Sequence, residues 1–295
     1  MEFVGTLTRP LFRRVFKLPG QAAIDALTSI VGASAIGLLI TIDQYERGSY
    51  TGREASVVAT NFSIVSLPFC LVVASVAGIE HYFLPWYGIV ILACLIAALV
   101  TPRLPPLSRK ADTYIATVAA PITDREFESQ SLMGEAWHCA LQRAKQAPRI
   151  GDYFDTALVN LTFFLFSVVT AALALATIAA LLVFHTPVFS WLGSPFISLF
   201  EFAQLPEPSA AASALFSGFL DQYMPAIAAG GIESNSTSFV LAGLSVCQLV
   251  FMSEVGVIIL RSRLPIGITD LVAIFLLRTT IVLPVLVFGA HFVFN

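Results

Sequence analysis

Three long stretches of the sequence contain no Asp, Glu, Lys or Arg: residues 55–79, 82–102 and 156–200. A helix needs about 20 mainly apolar residues to cross the hydrocarbon core of a bilayer, and each stretch is at least that long. The third stretch is too long for one crossing, so we expect Pro187 and Pro195 to interrupt it. The sequence therefore predicts an all-α, polytopic membrane protein, with the bacterial inner membrane as the expected location.

The composition supports a lipid environment and argues against several classes of function. Hydrophobic residues make up 57% of the chain and charged residues 12%, whereas a soluble domain has about 25% charged residues. Lys and Arg do not cluster as nucleic-acid binding requires. The cysteines have no metal-ligand spacing, and no phosphate-binding loop or nucleophile motif is present. We therefore expect no nucleic acid, no metal, no cofactor and no enzymatic activity.

The distribution of Lys and Arg predicts the orientation in the membrane. Seven of these residues fall between Arg103 and Arg149, and none falls between Ile150 and Leu260. Cytoplasmic loops hold the excess of Lys and Arg, so residues 101–154 are expected inside and residues 185–233 outside. The basic N-terminal segment should also be inside, but three full crossings before residue 101 would contradict this.

Two arrangements resolve that contradiction. In one, the N-terminus lies outside; in the other, residues 21–42 form a re-entrant hairpin that bends near Gly32 and does not cross. We favour the hairpin, and non-helical backbone at membrane depth is tolerated only where it is buried or lines a cavity. The predicted helices are 21–42, 54–78, 82–101, 131–147, 155–184, 188–203, 209–229, 238–261 and 267–293.

An internal repeat is indicated by two segments that align without gaps, residues 53–68 and 269–284. Glu54 then matches Asp270, Ser63 matches Thr279 and Pro68 matches Pro284. Upstream, residues 34–40 match residues 253–259, with three residues fewer in the second connection. Paired discontinuous helices in two halves point to a transporter's solute site. We expect the second repeat to be inverted, although Arg261 and Arg263 would favour the cytoplasm.

The predicted organisation has four parts. Residues 1–100 form a first repeat with a basic N-terminal segment, and residues 101–154 form a cytoplasmic loop. Within that loop, residues 131–149 are amphipathic and form a helix that either lies on the membrane surface or packs on the protein. Residues 155–233 are connecting membrane helices, and residues 234–295 form the second repeat.

The segments that carry these features resemble a known family. Residues 9–73, which contain LPGQAAIDALTSIVGASAIGLLI, together with residues 251–284 and FLDQYMPAIAA at 219–229, resemble the YjiH family of membrane proteins. This family carries the nucleoside-recognition (GATE) domain, which is similar to parts of nucleoside and ferrous-iron transporters. The internal repeat and the distribution of charge, rather than the resemblance, predict two repeats, each a re-entrant hairpin followed by a transmembrane helix. Family members usually carry further helices upstream of the matching segment, and this difference allows a companion membrane subunit.

Polar residues inside apolar helices are the candidates for solute binding. A charge at the bilayer centre costs about 2.5–3.5 kcal/mol on insertion scales, so such residues usually face a partner or a cavity. Glu254 and Arg278 are the charged candidates, either as two groups that face one cavity or as a structural ion pair. The hydroxyls either serve a solute or bond back to their own helix. The predicted solute-binding residues are Ser34, Thr60, Asn61, Ser63, Ser253, Glu254, Arg278, Thr279 and Thr280.

Two functions remain open from the sequence. The first is a transporter, or a transporter subunit, that moves a small polar and possibly nucleoside-like solute by alternating access at the repeat interface. It would use Na⁺ or H⁺ as coupling ion. The second is a non-transporting membrane subunit that assembles with or regulates a partner. Partners expected in either case are the lipid bilayer and a homo-oligomer or companion membrane subunit.

Overall fold

The computed structural model describes residues 2–31, 34–63, 65–115 and 169–294, together with isolated positions between them. Every regular element in these ranges is helical, which confirms the all-α membrane fold. The α-helices are α1 Glu2–Val15, α2 Ala22–Val31, α3 Ser34–Glu46, α4 Gly52–Asn61, α5 Leu67–Val76, α6 Phe83–Val100, α7 Thr170–His185, α8 Val188–Gly193, α9 Ile197–Phe202, α10 Pro208–Leu220, α11 Tyr223–Gly230, α12 Asn235–Cys247, α13 Val257–Arg261 and α14 Ile268–Phe294.

Three helical runs are long and apolar enough to cross a membrane: Glu80–Arg109, Asn235–Arg261 and Ile268–Phe294. A fourth candidate is the pair Leu173–Val183 and Val188–Phe202, which is bent by 76°. The bend falls at Pro187, as predicted, because α7 ends at His185 and a new helix begins after the proline. The predicted amphipathic helix at 131–149 lies mostly outside the described residues.

Helices α2 and α3 form an antiparallel hairpin. Asp25 of α2 bonds to Thr41 of α3 at 2.8 Å, and a Cβ on Gly37 would lie 1.9 Å from Ser29 Oγ. Gly37 therefore permits the close approach of the two arms. The arms contain 10 and 13 residues, so each is about 15–20 Å long. Both are shorter than the roughly 30 Å hydrocarbon core.

Both ends of this hairpin lie on one face of the molecule, which we call the first face. Thr51, just after the hairpin, bonds to Asp112 at 2.6 Å, and the Gly52 amide donates to the Thr113 carbonyl. Arg103 reaches the carbonyl of Val15 at 3.5 Å. The N-terminal segment and residues 101–113 thus share the first face. The hairpin arrangement requires this, whereas an N-terminus on the outside would place them on opposite faces.

Helices α10 and α11 form a second hairpin that opens on the opposite, second face. Gln248 at the end of α12 bonds to the Leu215 carbonyl, and Thr237 at its start bonds to the Pro206 carbonyl, so α10 runs parallel to α12. Ser238 bonds to Ala229, and Ser245 bonds to Gln222, so α11 runs antiparallel to α12. Hence α10 and α11 are antiparallel to each other, with their turn at Asp221.

Each hairpin is followed by a broken helix and then by a long helix. The first broken helix is α4–α5, which is interrupted between Asn61 and Leu67, and α6 follows it. The second is α12–α13, interrupted at residues 248–251 and resumed by a π turn at Met252–Gly256, and α14 follows it. The two long helices are antiparallel, since Gly289 contacts Ile89 and Phe294 contacts Tyr82 with ring centroids 4.7 Å apart.

This order corrects the repeat register expected from the sequence. Residues 53–68 contain the break of α4–α5, whereas residues 269–284 lie within the uninterrupted helix α14. Residues 34–40 belong to a hairpin arm, but residues 253–259 continue a broken helix. Apolar helices with scattered hydroxyls align readily, because the bilayer imposes the same composition on all of them. The elements that share the order of hairpin, broken helix and long helix are α2–α6 and α10–α14.

The corrected order also explains the position of Arg261 and Arg263. Because residues 235–261 cross from the second face to the first, both arginines reach the face that holds residues 101–113. Lys110 bonds to Asp270, just beyond them, at 2.7 Å. The two hairpins therefore open on opposite faces while the basic residues 261 and 263 lie with the other basic residues, as the distribution of charge favours.

Two apolar clusters hold these elements together. One joins the second-face half, where Trp86 of α6 is fully buried and donates to the Phe239 carbonyl at 3.2 Å. The other joins the first hairpin and α4 to the first-face half of α14, around Phe275. The helix breaks lie where the two clusters meet, so their polar groups are enclosed by protein on both sides.

Candidate functional site

The two helix breaks meet at the side chain of Arg278, which is fully buried in α14. Its Nη1 donates to Asn61 Oδ1 at 2.6 Å and to the Thr60 carbonyl at 3.4 Å. Its Nε and Nη2 donate to the Cys247 carbonyl at 3.1 and 2.8 Å. Asn61 is the last residue of α4, and Cys247 is the last residue of α12. One guanidinium thus satisfies the carboxyl ends of two half-helices.

Asn61 uses its whole amide within the protein. Its Oδ1 accepts from Arg278 and from Thr101 Oγ1, and its Nδ2 donates to the Val57 carbonyl at 3.2 Å and to Thr60 Oγ1 at 3.1 Å. The side chain is fully buried. Asn61 therefore joins α4, α6 and α14 in this conformation.

The hydroxyl candidates mostly bond back to their own helices. Thr60, Ser63 and Thr280 donate to the carbonyls of Ser56, Ala59 and Leu276, each four residues earlier. Thr280 is exposed on the outer surface of α14, so it does not line the region of the breaks. Thr279 lies on the buried side and accepts from Gln248 Nε2 at 3.0 Å.

Glu254 contacts the tip of the first hairpin rather than Arg278. Its Oε1 accepts from Ser34 Oγ at 3.5 Å, and its carboxylate also accepts from the backbone amide of Ala35. These groups form the N-terminus of α3, where the helix dipole favours a negative charge. Ser253 is buried beside it in the π turn. Among the described residues no ion pair joins Glu254 to Arg278, which argues against the structural-pair interpretation.

The sequence analysis missed two buried amide side chains, those of Gln222 and Gln248. Gln222 is at the turn of the second hairpin, and Gln248 is at the break of α12–α13. Both are at least 91% buried, and Oε1 of each has no hydrogen-bond partner. A polar residue within an apolar segment was the criterion that selected Asn61, and applied evenly it would also have selected these glutamines.

The second hairpin brings these groups together. The Gln222 carbonyl accepts from Ser245 Oγ, one helical turn before Gln248. A Cβ on Gly218 would lie 2.1 Å from Gln248 Oε1, so only glycine leaves room for this amide. Asp221 lies at the same turn, immediately before Gln222. We call Ser34, Asp221, Gln222, Gln248 and Glu254 the tip cluster.

The tip cluster is rich in hydrogen-bond acceptors. Its residues carry two carboxylates and two unpartnered amide oxygens, and they lie at the hairpin turns and at the second helix break. Buried acceptors without partners cost about 1–3 kcal/mol each, so a molecule that supplies N–H or O–H donors would relieve that cost. The arrangement is suited to binding a solute with several donors.

Comparison with known proteins agrees with the first hairpin as a defined unit. Residues 1–80 match the family model Gate, described as nucleoside recognition. The match agrees with the nucleoside-recognition domain that the resemblance implied for this part of the chain. The match includes the first hairpin, α4 and α5.

One curated relative extends the comparison to the whole chain. It is an uncharacterized protein of Alkalihalophilus pseudofirmus, 43% identical over 294 residues. The alignment covers 100% of this chain and 64% of the relative, so the chain spans less than two thirds of the relative's length. No solved structure matches the chain.

Proposed function

We propose that the chain is a membrane transporter, or the solute-binding part of one, and that a small polar solute binds at the tip cluster. The observation that carries the proposal is the pair of buried, unpartnered amide oxygens on Gln222 and Gln248. They lie where a hairpin turn meets a helix break, which is where discontinuous helices place solute sites in transporters.

The chemistry of the cluster favours a solute rich in donors. Glu254 and Asp221 add carboxylate oxygens to the two amide oxygens, so acceptors outnumber donors. Ribose hydroxyls and exocyclic amino groups of bases are such donors, and the description of the Gate model supports a nucleoside-like solute. Thr60, Ser63 and Asn61 would then support the site by fixing the first helix break, while Ser34 and Ser253 remain proposed contacts.

The arrangement of the hairpins supports alternating access. The first hairpin opens on the first face and the second hairpin on the opposite face, and Ser34 of the first hairpin contacts Glu254 beside the second helix break. Movement of either hairpin would uncover the tip cluster from its own side. An ion gradient or a partner would supply the energy, because the sequence contains no nucleotide-binding motif.

The test is ligand-dependent thermal stabilisation of the purified protein in detergent, with a panel of nucleosides, bases, amino acids and dipeptides. A ligand that binds only the folded state stabilises the protein by about 2.7 kcal/mol at one hundred times its dissociation constant. This stabilisation raises the melting temperature. We expect a nucleoside-like hit that is lost in Gln222→Leu and Gln248→Leu. The same hit should persist in Thr280→Val, the matched control on the outer surface of α14.

The alternative, a non-transporting subunit, predicts a different result. No compound in the panel would stabilise the protein, and uptake of the radiolabelled panel into proteoliposomes would equal that of empty vesicles. A hit that survives both glutamine substitutions would place the solute elsewhere and refute the tip cluster as its site.

A further inference from the structure

The region around Arg278 has the features of a cation site. The carbonyl groups at the ends of α4 and α12 point to one location from opposite halves of the molecule. Each helix C-terminus carries a partial charge of about −0.5, so the two ends together present roughly one negative charge. In transporters with discontinuous helices, half-helix C-termini and unwound carbonyls of this kind coordinate the coupling Na⁺.

We propose that the guanidinium of Arg278 is a built-in cation that takes the place of a coupling Na⁺ at the crossing of the two broken helices. It bonds to the oxygens that a metal ion would use, since Cys247 O accepts two of its N–H groups and Asn61 Oδ1 accepts a third at 2.6 Å. With these oxygens occupied and the charge already balanced, Na⁺ has neither ligands nor an electrostatic reason to bind there.

The charge balance at Arg278 comes from helix ends rather than from acidic side chains. Within the described ranges, the only groups that bond to its guanidinium are carbonyl and amide oxygens. An arginine stays protonated at any physiological pH, so this cation is permanent. Its side chain is 0% exposed, and a buried charge is stable only where such compensation exists.

A consequence is that Arg278 acts as a positioning residue and as a determinant of ion specificity. It fixes the carboxyl ends of both half-helices without exchange of an ion with the solvent. The sequence left both Na⁺ and H⁺ open as coupling ions. At this position Arg278 leaves no role for Na⁺. The inference concerns the stability of the helix crossing, so it stands or falls separately from the proposed solute site.

The first experiment compares the melting temperature of the full chain in NaCl and in choline chloride at equal ionic strength. We expect no difference for the wild type. For Arg278→Ala we expect a melting temperature lower by roughly 10 °C, partly restored by millimolar methylguanidinium or by Na⁺ but not by choline. The control is Arg263→Ala, an exposed arginine of the same chain, which should respond to none of these cations.

Two further variants keep the inference testable if Arg278→Ala does not fold. Arg278→Lys retains a cation, and Arg278→Met retains the volume without the charge. The Arg278→Lys variant should therefore melt at a clearly higher temperature than the Arg278→Met variant. Equal stability of these two variants would overturn the inference. It would also be overturned if Na⁺ stabilised the wild type saturably and Asn61→Ala abolished that effect, or if folded Arg278→Ala responded to no cation.

Discussion

The hydrogen-bond network at Asp25 gives a quantitative prediction for the first hairpin. The Asp25 side chain is 1% exposed, and its carboxylate accepts from Thr41 at 2.8 Å, from Tyr50 at 2.9 Å and from Gln44 at 3.1 Å. These bonds tie α2 to α3 and to the chain that leads into α4. Replacing Asp25 with Ala removes all three acceptor contacts at once.

Loss of this acceptor would affect the three hydrogen-bond donors to different extents. Thr41 already bonds to the Gly37 carbonyl at 3.1 Å, and Gln44 is half-buried and can turn to water. Tyr50 is fully buried, so its hydroxyl would lose its partner at a cost of about 1–3 kcal/mol. Loss of the charge-assisted bonds adds about 1–2 kcal/mol. Together Asp25→Ala should destabilise the protein by about 3 kcal/mol.

The measurement is a melting curve followed by a thiol-reactive fluorescent probe, because Cys70, Cys94 and Cys247 are free and buried in the folded protein. At about 2–4 °C per kcal/mol, Asp25→Ala should melt roughly 6–12 °C lower than the wild type. Asp25→Asn keeps one acceptor oxygen for Thr41 and Tyr50. It should therefore lower the melting temperature by only about a third as much as Asp25→Ala.

The control and the double variant decide whether the network is responsible. Asp43, exposed on the same hairpin and paired with Arg47, should be replaceable by Ala with a change below about 1 kcal/mol. Adding Tyr50→Phe to Asp25→Ala should cost little more, because the unpartnered hydroxyl disappears with the tyrosine. If Asp25→Ala and Asp25→Asn melt at the same temperature, hydrogen bonding to Asp25 does not hold the hairpin and the reasoning is wrong.

Further changes should have smaller or opposite effects. Gly193→Ala should lower the melting temperature by several degrees, at a cost of about 1–3 kcal/mol, since its Cβ would lie 2.5 Å from the Ala212 backbone oxygen, which cannot move aside. Gly88 lies in α6 with no atom within 4 Å of a new Cβ. Gly88→Ala should therefore leave the stability unchanged or raise it by up to about 1 kcal/mol, because Ala has the higher helix propensity. A loss similar to that of Gly193→Ala would contradict the steric argument. Lys110→Met removes a partly exposed ion pair with Asp270 and should cost less than about 1 kcal/mol, with a smaller effect in high salt. A large cost that does not depend on salt would show that this contact does more than pair two surface charges.

The candidate site was only partly visible in the sequence. The sequence identified Asn61, Glu254 and Arg278 because polar residues in an apolar run are costly unless they are partnered. It grouped Glu254 with Arg278 by charge, whereas the structure separates them and gives each to a different helix end. The glutamines of the tip cluster were passed over, although they meet the same criterion that selected Asn61. Yet their unpartnered oxygens are the stronger sign of a ligand.

Hairpins and breaks were predicted with unequal success for a related reason. The first hairpin was inferred from the position of Lys and Arg, which report on the side of the membrane and therefore constrain the number of crossings. The second hairpin, α10–α11, was expected as a single helix over residues 209–229. Its turn at Asp221 is held by contacts with α12, such as Ser245 to Gln222, that the local sequence does not contain.

By itself the sequence determined the class of fold, the interruption at Pro187 and the face on which the basic segments lie, because lipid acts on each segment separately through its apolar length and its charges. Only the tertiary structure decided which segments are equivalent and which helices unwind. Thr60–Asn61 and Thr279–Thr280 look alike in the sequence, but α4 ends at Asn61 while α14 continues through Thr280. The physical reason is that a helix can end within the bilayer only if its free carbonyls find donors. Those donors are on Arg278, 217 residues away from Asn61 in the chain.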